Sequence, residues 1–176
     1  INLSKITTCK ITKRLLYYNY KKERGTHKMM STTIYFDMDG TIANLYGVEN
    51  WLDYLRNNDE TPYTVAEPLV RLASLARVLN NLQRKGYKIG IISWLAKNSS
   101  TDYDEKVTKA KRAWLNKHLH SVRFDEINIV TYGTPKQRFA KTNNDILFDD
   151  EAKNRNDWTG KAFDVTNIIE TLRGLA

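Results

Sequence analysis

From residue 32 onward, apolar strand-like segments alternate with segments of helical spacing, and this alternation limits the folds open to the chain. A repeated strand–helix–strand order is typical of βαβ units, whose strands join a parallel sheet. The predicted strands are TTIYFD (32–37), YKIGIIS (87–93), INIVTY (127–132), DILFD (145–149) and KAFDV (161–165). We therefore predict an α/β fold, a three-layer sandwich of Rossmann-like type around a central parallel sheet.

Helices are predicted between these strands wherever apolar residues recur at helical spacing. The predicted helices cover 48–58, 67–86, 102–119, 134–140, 150–158 and the last residues of the chain. Asp102, with Glu105 three residues later, is predicted to form a capping box at the start of the third helix. Residues 59–65 are predicted to be a turn-rich link between helices.

The length and the cysteine count narrow the class of protein. At 176 residues the chain is long enough for one domain with a hydrophobic core, predicted to span 29–176. Its only cysteine, Cys9, excludes a disulfide framework and a cysteine zinc site, and it favours a reduced, cytoplasmic setting. The longest apolar runs, such as IGII at 89–92, are too short to cross a bilayer, so no membrane partner is expected.

The net charge of +8 comes almost entirely from residues 1–28, which hold eight of the 28 basic residues and one of the 20 acidic ones. The rest of the chain is near neutral and gives little reason to expect nucleic-acid binding outside this tail. We expect 1–28 to be a disordered tail outside the fold, with a natural start at Met29 or Met30. An organelle transit peptide and an arm that contacts nucleic acid are the alternatives.

Polar side chains follow four of the predicted strands at the point where each strand ends. They are Asp37 and Asp39 after the first strand, Ser93 after the second, Lys136 after the third, and Asp149 and Asp150 at the end of the fourth. In open parallel sheets, ligands bind beyond the carboxyl ends of the strands. These six side chains are therefore expected to share one site.

The residue types at these positions suit phosphoryl transfer. Converging carboxylates repel each other unless a hard cation lies among them, and Mg²⁺ prefers carboxylates, waters and phosphate oxygens. A lysine and a hydroxyl can donate hydrogen bonds to a phosphoryl group. One aspartate can attack phosphorus as a nucleophile, and a second acid two residues away can protonate the leaving oxygen and later activate water.

Over residues 32–170 the sequence resembles the haloacid dehalogenase (HAD) superfamily of phosphohydrolases. IYFDMDGT resembles the first motif of that superfamily, an apolar strand followed by DxDGT. IGIIS and ILFDDEAKN resemble the second and fourth motifs, which end in a hydroxyl residue and in paired acids. Lys136 in YGTPKQRF is the best candidate for the lysine of the third motif, and Lys141 is its rival.

The resemblance implies a role for each acidic residue. Asp37 would be the nucleophile and a Mg²⁺ ligand, and Asp39 would be the general acid and base, with its backbone carbonyl also on the metal. Asp149 would be the main metal ligand of the fourth motif, supported by Asp150, for which a helix-capping role is the alternative. Asn154 is expected either to orient this loop or to lie at the surface. Because dehalogenases of the superfamily lack the second acid, Asp39 favours phosphate ester hydrolysis.

The remaining motif residues are assigned by the resemblance to the phosphate and the loop around it. Ser93 would hydrogen-bond the phosphoryl oxygens, and Lys136 would offset the negative charge of Asp37 and of the phosphate. Gly40 would allow close approach of the backbone to the substrate, and Thr41 would hold the loop geometry.

Residues 44–66 lie where many members of this superfamily insert a cap, and they predict only one short helix and a loop. The segment is rich in aromatic residues, and Trp94 follows Ser93 directly. Tyr46 and Trp94 are the candidates for substrate contact, through stacking on a nucleobase. Trp51 is expected to belong to the ordinary core.

The leading functional hypothesis is a Mg²⁺-dependent phosphatase that hydrolyses a small phosphate monoester through a phospho-aspartyl intermediate. The small cap and the paired acids look most like the deoxyribonucleotidase (5′-nucleotidase) branch, which implies a nucleotide substrate. The alternatives are a phosphatase acting on nucleic-acid ends and an inactive HAD fold that serves as a binding module, because a fold alone does not set the substrate. The resemblance also allows a homodimer that covers the open site.

Overall fold

The computed structural model describes residues 31–176, so the predictions for residues 1–28 lie outside the described part of the chain. Five parallel strands form one sheet in the order β3-β2-β1-β4-β5. The strands are β1 (Thr33–Phe36), β2 (Lys88–Trp94), β3 (Glu126–Val130), β4 (Ile146–Phe148) and β5 (Lys161–Phe163). With helices packed against this sheet, the predicted α/β class is confirmed.

The described residues also contain six α-helices and two short 3₁₀ turns. The helices are α1 (Trp51–Arg56), α2 (Thr61–Val65), α3 (Leu72–Arg84), α4 (Thr101–His118), α5 (Ala152–Asp157) and α6 (Ile168–Leu175), and the turns are Leu45–Gly47 and Lys136–Phe139. Within residues 31–176, no helix combines the length and the apolar composition that a membrane crossing requires.

Side chains alternate along β1 and pack into two different layers. Ile34 and Phe36 belong to the large core, which buries the apolar faces of α3 and α6 against the sheet. Tyr35 points to the opposite face, where its ring meets that of Trp158 edge-on with 5.6 Å between ring centres. Both faces of β1 are therefore covered, as the uninterrupted apolar run in its sequence requires.

In the sheet, β2 and β3 lie on one side of β1, whereas β4 and β5 lie on the other side. The chain therefore changes its direction of progress across the sheet between β1 and β4, and this reversal sets the position of the site. β1 and β4 pair in register at Phe36 and Phe148, and the backbone N–H of Asp37 donates to the carbonyl of Phe148 over 2.9 Å. The residues that follow the two strands therefore emerge side by side. Open α/β sheets bind their ligands at such a reversal, beyond the carboxyl ends of the strands.

Two helix starts differ from the sequence-based predictions. The capping box of Asp102 and Glu105 is wrong, because α4 begins one residue earlier and the hydroxyl of Ser100 accepts the backbone N–H of Tyr103 as its cap. The predicted helix over 67–86 begins only at Leu72. Residues 67–71 instead run beside the first loop, where the N–H of Asn44 donates to the carbonyl of Glu67 over 2.8 Å.

The segment 44–66 contains more helix than predicted. It holds a 3₁₀ turn and two helices, α1 and α2, in place of one helix and a loop. Pro62 lies in the first turn of α2, where a missing N–H costs nothing, and the Asp59 carboxylate accepts the N–H of Thr61 over 2.8 Å. Tyr63 of α2 packs with Tyr103 of α4 in a buried cluster. This packing fixes the segment beside the carboxyl ends of the strands.

Candidate active site

Three carboxylates meet where β1 and β4 end. Asp37 follows β1, Asp149 and Asp150 follow β4, and one oxygen from each lies within 4.8 Å of the other two. Asp37 and Asp149 are buried, and Asp150 is partly buried. The structure thus brings together three of the four residues predicted to contact a metal.

Lys136 joins two of these carboxylates. It opens the 3₁₀ turn after β3, and its buried Nζ lies 2.9 Å from Oδ1 of Asp37 and 2.7 Å from Oδ2 of Asp149. Burial alone would lower the pKa of Lys136, but the two aspartates raise it above its ordinary value, so the ammonium stays charged. Lys141, the rival candidate, instead forms an ion pair with Glu126, with 2.6 Å between Nζ and Oε1. This pair is not part of the carboxylate cluster.

Polar groups of the chain after β4 hold Asp149 in place. The backbone N–H of Glu151 donates to its Oδ1 over 2.9 Å, and the amide of Asn154 donates to both of its carboxylate oxygens over 3.2 and 3.3 Å. Arg155 donates to the carbonyls of Asp149 and Asp150 over 2.8 and 2.6 Å. Of the two expectations for Asn154, the structure favours the one in which it orients the loop, since the side chain is buried against Asp149.

Thr41 and Gly40 connect the loop after β1 to Asp150. The Thr41 hydroxyl accepts the N–H of Asp150 over 3.2 Å and lies 3.4 Å from its Oδ1. Gly40 has a φ of +76°, and a Cβ there would lie 2.5 Å from Oδ2 of Asp150. Glu151, rather than Asp150, is the residue that precedes α5 as its N-cap, so the capping alternative for Asp150 is wrong.

Asp39 has a different partner from the other three aspartates. Its Oδ2 lies 2.6 Å from Nζ of Lys111, which also donates to the hydroxyl of Ser93 over 2.8 Å and to the carbonyl of Trp94 over 2.6 Å. Burial raises the pKa of Asp39 and the charge of Asp37 adds to this effect, whereas Lys111 lowers it. The carboxylate of Asp39 therefore lies outside the three-carboxylate cluster, and a metal contact through its backbone carbonyl stays a prediction.

Lys111 is not among the residues predicted for the site from the sequence, although the helix pattern contains a signal for it. The core-facing positions of α4 are Tyr103, Val107, Ala110, Lys111, Trp114 and Leu115. Lys111 is thus a lysine on the apolar face of an amphipathic helix, four residues from Val107 and from Leu115. A lysine there must either reach water or find a buried anion. It reaches Asp39.

A cavity of about 270 Å³ opens above the carboxylates. Aromatic and apolar side chains form its walls, namely Leu45, Tyr46, Trp51, Leu52, Leu55, Tyr63, Trp94, Leu95 and Tyr132. The Tyr46 and Trp51 rings meet edge-on at 5.1 Å, and Trp94 lies 5.1 Å from Tyr132. Trp51 is half-buried in this wall, so the expectation that it belongs to the ordinary core is wrong.

The site carries more negative than positive charge. Four aspartates line the floor of the cavity, and two buried lysines, Lys111 and Lys136, pair with three of them. Burial, together with the charges of Asp37 and Asp149, raises the pKa of Asp150 to about 6. The surplus charge and an all-oxygen donor set fit a hard divalent cation such as Mg²⁺ held by Asp37, Asp149 and Asp150.

Comparison with known proteins gives only distant likenesses. No protein-family model and no curated protein sequence matches the chain. Among solved structures, a chain of the Pnkp1/Rnl/Hen1 complex is similar at a TM-score of 0.48 and 17% identity over 80% of this chain, which spans 47% of the length of that chain.

Two D,D-heptose 1,7-bisphosphate phosphatases are also similar in structure. The protein from Burkholderia thailandensis has a TM-score of 0.47 and 11% identity, over 82% of this chain and 98% of its own. The protein from B. bronchiseptica, solved with magnesium and phosphate, has a TM-score of 0.48 and 9% identity, over 82% and 99%. Similarity this low assigns no function to the chain.

Proposed function

We propose that the protein is a Mg²⁺-dependent phosphatase of the HAD type that hydrolyses phosphate monoesters. The observation that carries the proposal is the joining of Asp37 and Asp149 by the buried Nζ of Lys136, at 2.9 and 2.7 Å, on the floor of an open cavity. A buried cation between two carboxylates stabilises the fold poorly in comparison with apolar packing, so such a group indicates chemistry at this edge of the sheet.

Asp37, Asp149 and Asp150 are the residues that would hold the metal ion. When bound, Mg²⁺ would supply positive charge that neutralises the phosphoryl oxygens and the carboxylates around them. Lys136 adds a second positive charge among the residues that line the cavity. Ser93 is fully buried and is not one of those residues, so a contact of its hydroxyl with the phosphate stays a prediction. Lys136, together with the metal ion, would bind a dianionic phosphate at the cavity floor.

The proposed reaction has two steps, each with a defined proton transfer. In the first, a carboxylate oxygen of Asp37 attacks phosphorus, the bond from phosphorus to the leaving oxygen breaks, and Asp39 gives that oxygen its proton. In the second, water attacks phosphorus while Asp39 takes a proton from it. The bond between phosphorus and Asp37 then breaks, which releases inorganic phosphate and restores both aspartates.

The leaving group that best fits the cavity is an aromatic one, and we extend the proposal to a 5′(3′)-deoxyribonucleotidase. Tyr46, Trp51, Trp94 and Tyr132 form two aromatic pairs in the cavity wall. Aromatic side chains bind nucleobases by stacking, with little preference for one base over another. The apolar walls and charged floor thus match the two ends of a nucleoside monophosphate.

The experiment that tests the activity is hydrolysis of p-nitrophenyl phosphate by the purified protein, with Mg²⁺ and with EDTA. We expect turnover with Mg²⁺ and its loss in EDTA. Folded protein that turns over nothing with Mg²⁺, Mn²⁺ or Co²⁺ would reject the phosphatase proposal.

The substrate class needs a second experiment with the same protein. A panel of deoxynucleoside 5′- and 3′-monophosphates, sugar phosphates and 3′-phosphorylated oligonucleotides should show the highest kcat/KM on the mononucleotides. Turnover of sugar phosphates or oligonucleotides with mononucleotides untouched would contradict the nucleotidase part and leave the phosphatase part standing.

A further inference from the structure

Lys111 is a buried ammonium whose three hydrogen-bond donors are all in use. It donates to Oδ2 of Asp39 over 2.6 Å, to Oγ of Ser93 over 2.8 Å and to the carbonyl of Trp94 over 2.6 Å. A lysine ammonium has three N–H donors and no acceptor. With three protein acceptors in place, Lys111 has no donor left for a substrate oxygen, which separates its role from that of Lys136.

Stability alone does not explain a lysine at this position. The side chain of Lys111 is 1% exposed on the apolar face of α4, between Val107 and Leu115. Replacing a buried ion pair by apolar groups of similar volume is often neutral or stabilising, so burial of Lys111 is poor evidence for a folding role. Its three acceptors belong to Asp39 and to the last two residues of β2, which points to a role in the site.

We propose that Lys111 is a positioning residue, which fixes the carboxylate of Asp39 for proton transfer. This inference rests on the proposed function, in which Asp39 exchanges protons with the leaving group and with water. The ion pair holds Oδ2 of Asp39 at 2.6 Å from Nζ, beside the cluster of Asp37, Asp149 and Asp150 and not within it.

The same ammonium also makes a hydrogen bond to the Ser93 hydroxyl. Because Lys111 donates to Oγ of Ser93, that oxygen acts as an acceptor on the buried side of the site. Lys111 thereby links Asp39 to the last two residues of β2 through one fixed point on α4.

The test compares two aryl phosphates whose leaving groups differ in their need for a proton. Nitrophenolate leaves without help, whereas phenolate departs faster when an acid protonates it. If Lys111 positions Asp39, Lys111→Met should lower kcat/KM on phenyl phosphate by about 100-fold. The loss on p-nitrophenyl phosphate should be at least about tenfold smaller. KM should change little, since Lys111 does not contact the substrate.

Controls separate this inference from a loss of folding and from the proposed function itself. Lys109→Met changes an exposed lysine on the same helix and should leave both rates unchanged. Circular dichroism should show the same helix content in both variants. Equal losses on the two substrates, or wild-type rates in folded Lys111→Met, would overturn the positioning role. An inactive wild-type protein would instead reject the phosphatase proposal.

A second variant covers the case in which Lys111→Met does not fold because the Asp39 carboxylate is left buried and unpaired. Asp39→Asn together with Lys111→Met removes both charges of the pair, and it is compared with Asp39→Asn alone on p-nitrophenyl phosphate. If Lys111 acts through Asp39, the two residual rates should agree within about twofold, since effects of residues that act as a unit do not add. A further tenfold loss in the double variant would overturn the inference.

Discussion

Nζ of Lys136 lies 2.9 Å from Oδ1 of Asp37, and both side chains are buried at the junction of β1 and β4. The pair joins the proposed nucleophile to Asp149, to which the same ammonium donates over 2.7 Å. Two carboxylates thus depend on one cation for their charge balance in the protein. Removal of that cation should affect stability and activity together.

Lys136→Met should cost about 3–5 kcal/mol of the free energy of unfolding, because it leaves Asp37 and Asp149 as buried carboxylates without their cation. Activity on p-nitrophenyl phosphate should fall by about 100-fold or more, since a charge that stabilises the phosphoryl group is lost. Urea denaturation and steady-state kinetics measure the two effects. Lys141→Met is the control, because its pair with Glu126 is half-exposed and worth less than about 1 kcal/mol. Similar losses in both variants would contradict the special position of Lys136.

Asp37→Asn should abolish turnover, because the amide cannot attack phosphorus as the carboxylate does. We expect a drop in kcat of about three orders of magnitude or more with the fold retained, as circular dichroism would show. Asp53→Asn is the matched control, since Asp53 is exposed and pairs with Arg56 on α1. A rate near that of the wild type in Asp37→Asn would mean that the nucleophile is another residue.

Gly40→Ala should destabilise the protein and disturb the site at once. A φ of +76° disfavours alanine, and its Cβ would lie 2.5 Å from Oδ2 of Asp150. We expect a loss of about 1–3 kcal/mol in urea denaturation, with lower kcat. Gly174→Ala in α6 is the control, because a Cβ there meets nothing within 4 Å and helix propensity should make it neutral or stabilising. Equal stability of the two variants would contradict the crowding at Gly40.

The fold could be predicted from the sequence because the spacing of apolar residues within each segment indicates whether that segment is a strand or a helix. β1 and β2 are short apolar runs, and the helix over Leu72–Arg84 has a regular apolar face. What the patterns missed lies at helix starts. The cap of α4 is Ser100, which lies just before the first turn and accepts the N–H of Tyr103. The helix α2 forms in a stretch whose Pro and Asp residues had predicted a turn.

The site was predictable as far as it followed strand ends. Asp37, Ser93 and Asp149 each come directly at or after a strand, so the sheet alone brings them to one edge. Lys111 could not be placed this way, because it reaches the site from the middle of a helix that crosses the sheet. Trp51 was also misplaced, since helical spacing does not tell a core face from a cavity wall.

Tyr46→Leu should weaken binding of nucleotides more than binding of small aliphatic phosphates. Tyr46 lines the cavity next to Trp51, and its side chain is nearly half exposed, so its removal should leave the core intact. Loss of base stacking should raise KM for a deoxynucleoside monophosphate by about 5- to 100-fold. KM for glycerol phosphate should stay within about twofold. Tyr54→Leu, in α1 and outside the cavity walls, is the control. A nucleotide KM unchanged by Tyr46→Leu would argue against stacking there.

Mg²⁺ should bind to the three-carboxylate cluster and raise the thermal stability of the protein. Asp37, Asp149 and Asp150 offer oxygens within 4.8 Å of one another, and an ion that binds only the folded chain stabilises it by about 2.7 kcal/mol at a concentration 100 times its Kd. A thermal melt with increasing Mg²⁺ should therefore show a rising Tm, independent of any substrate. Asp149→Asn should remove most of this rise, whereas Asp157→Asn, which alters an exposed carboxylate paired with Lys153, should keep it. A Tm that ignores Mg²⁺ in the wild-type protein, or one that rises equally in Asp149→Asn, would contradict a metal site at the ends of β1 and β4.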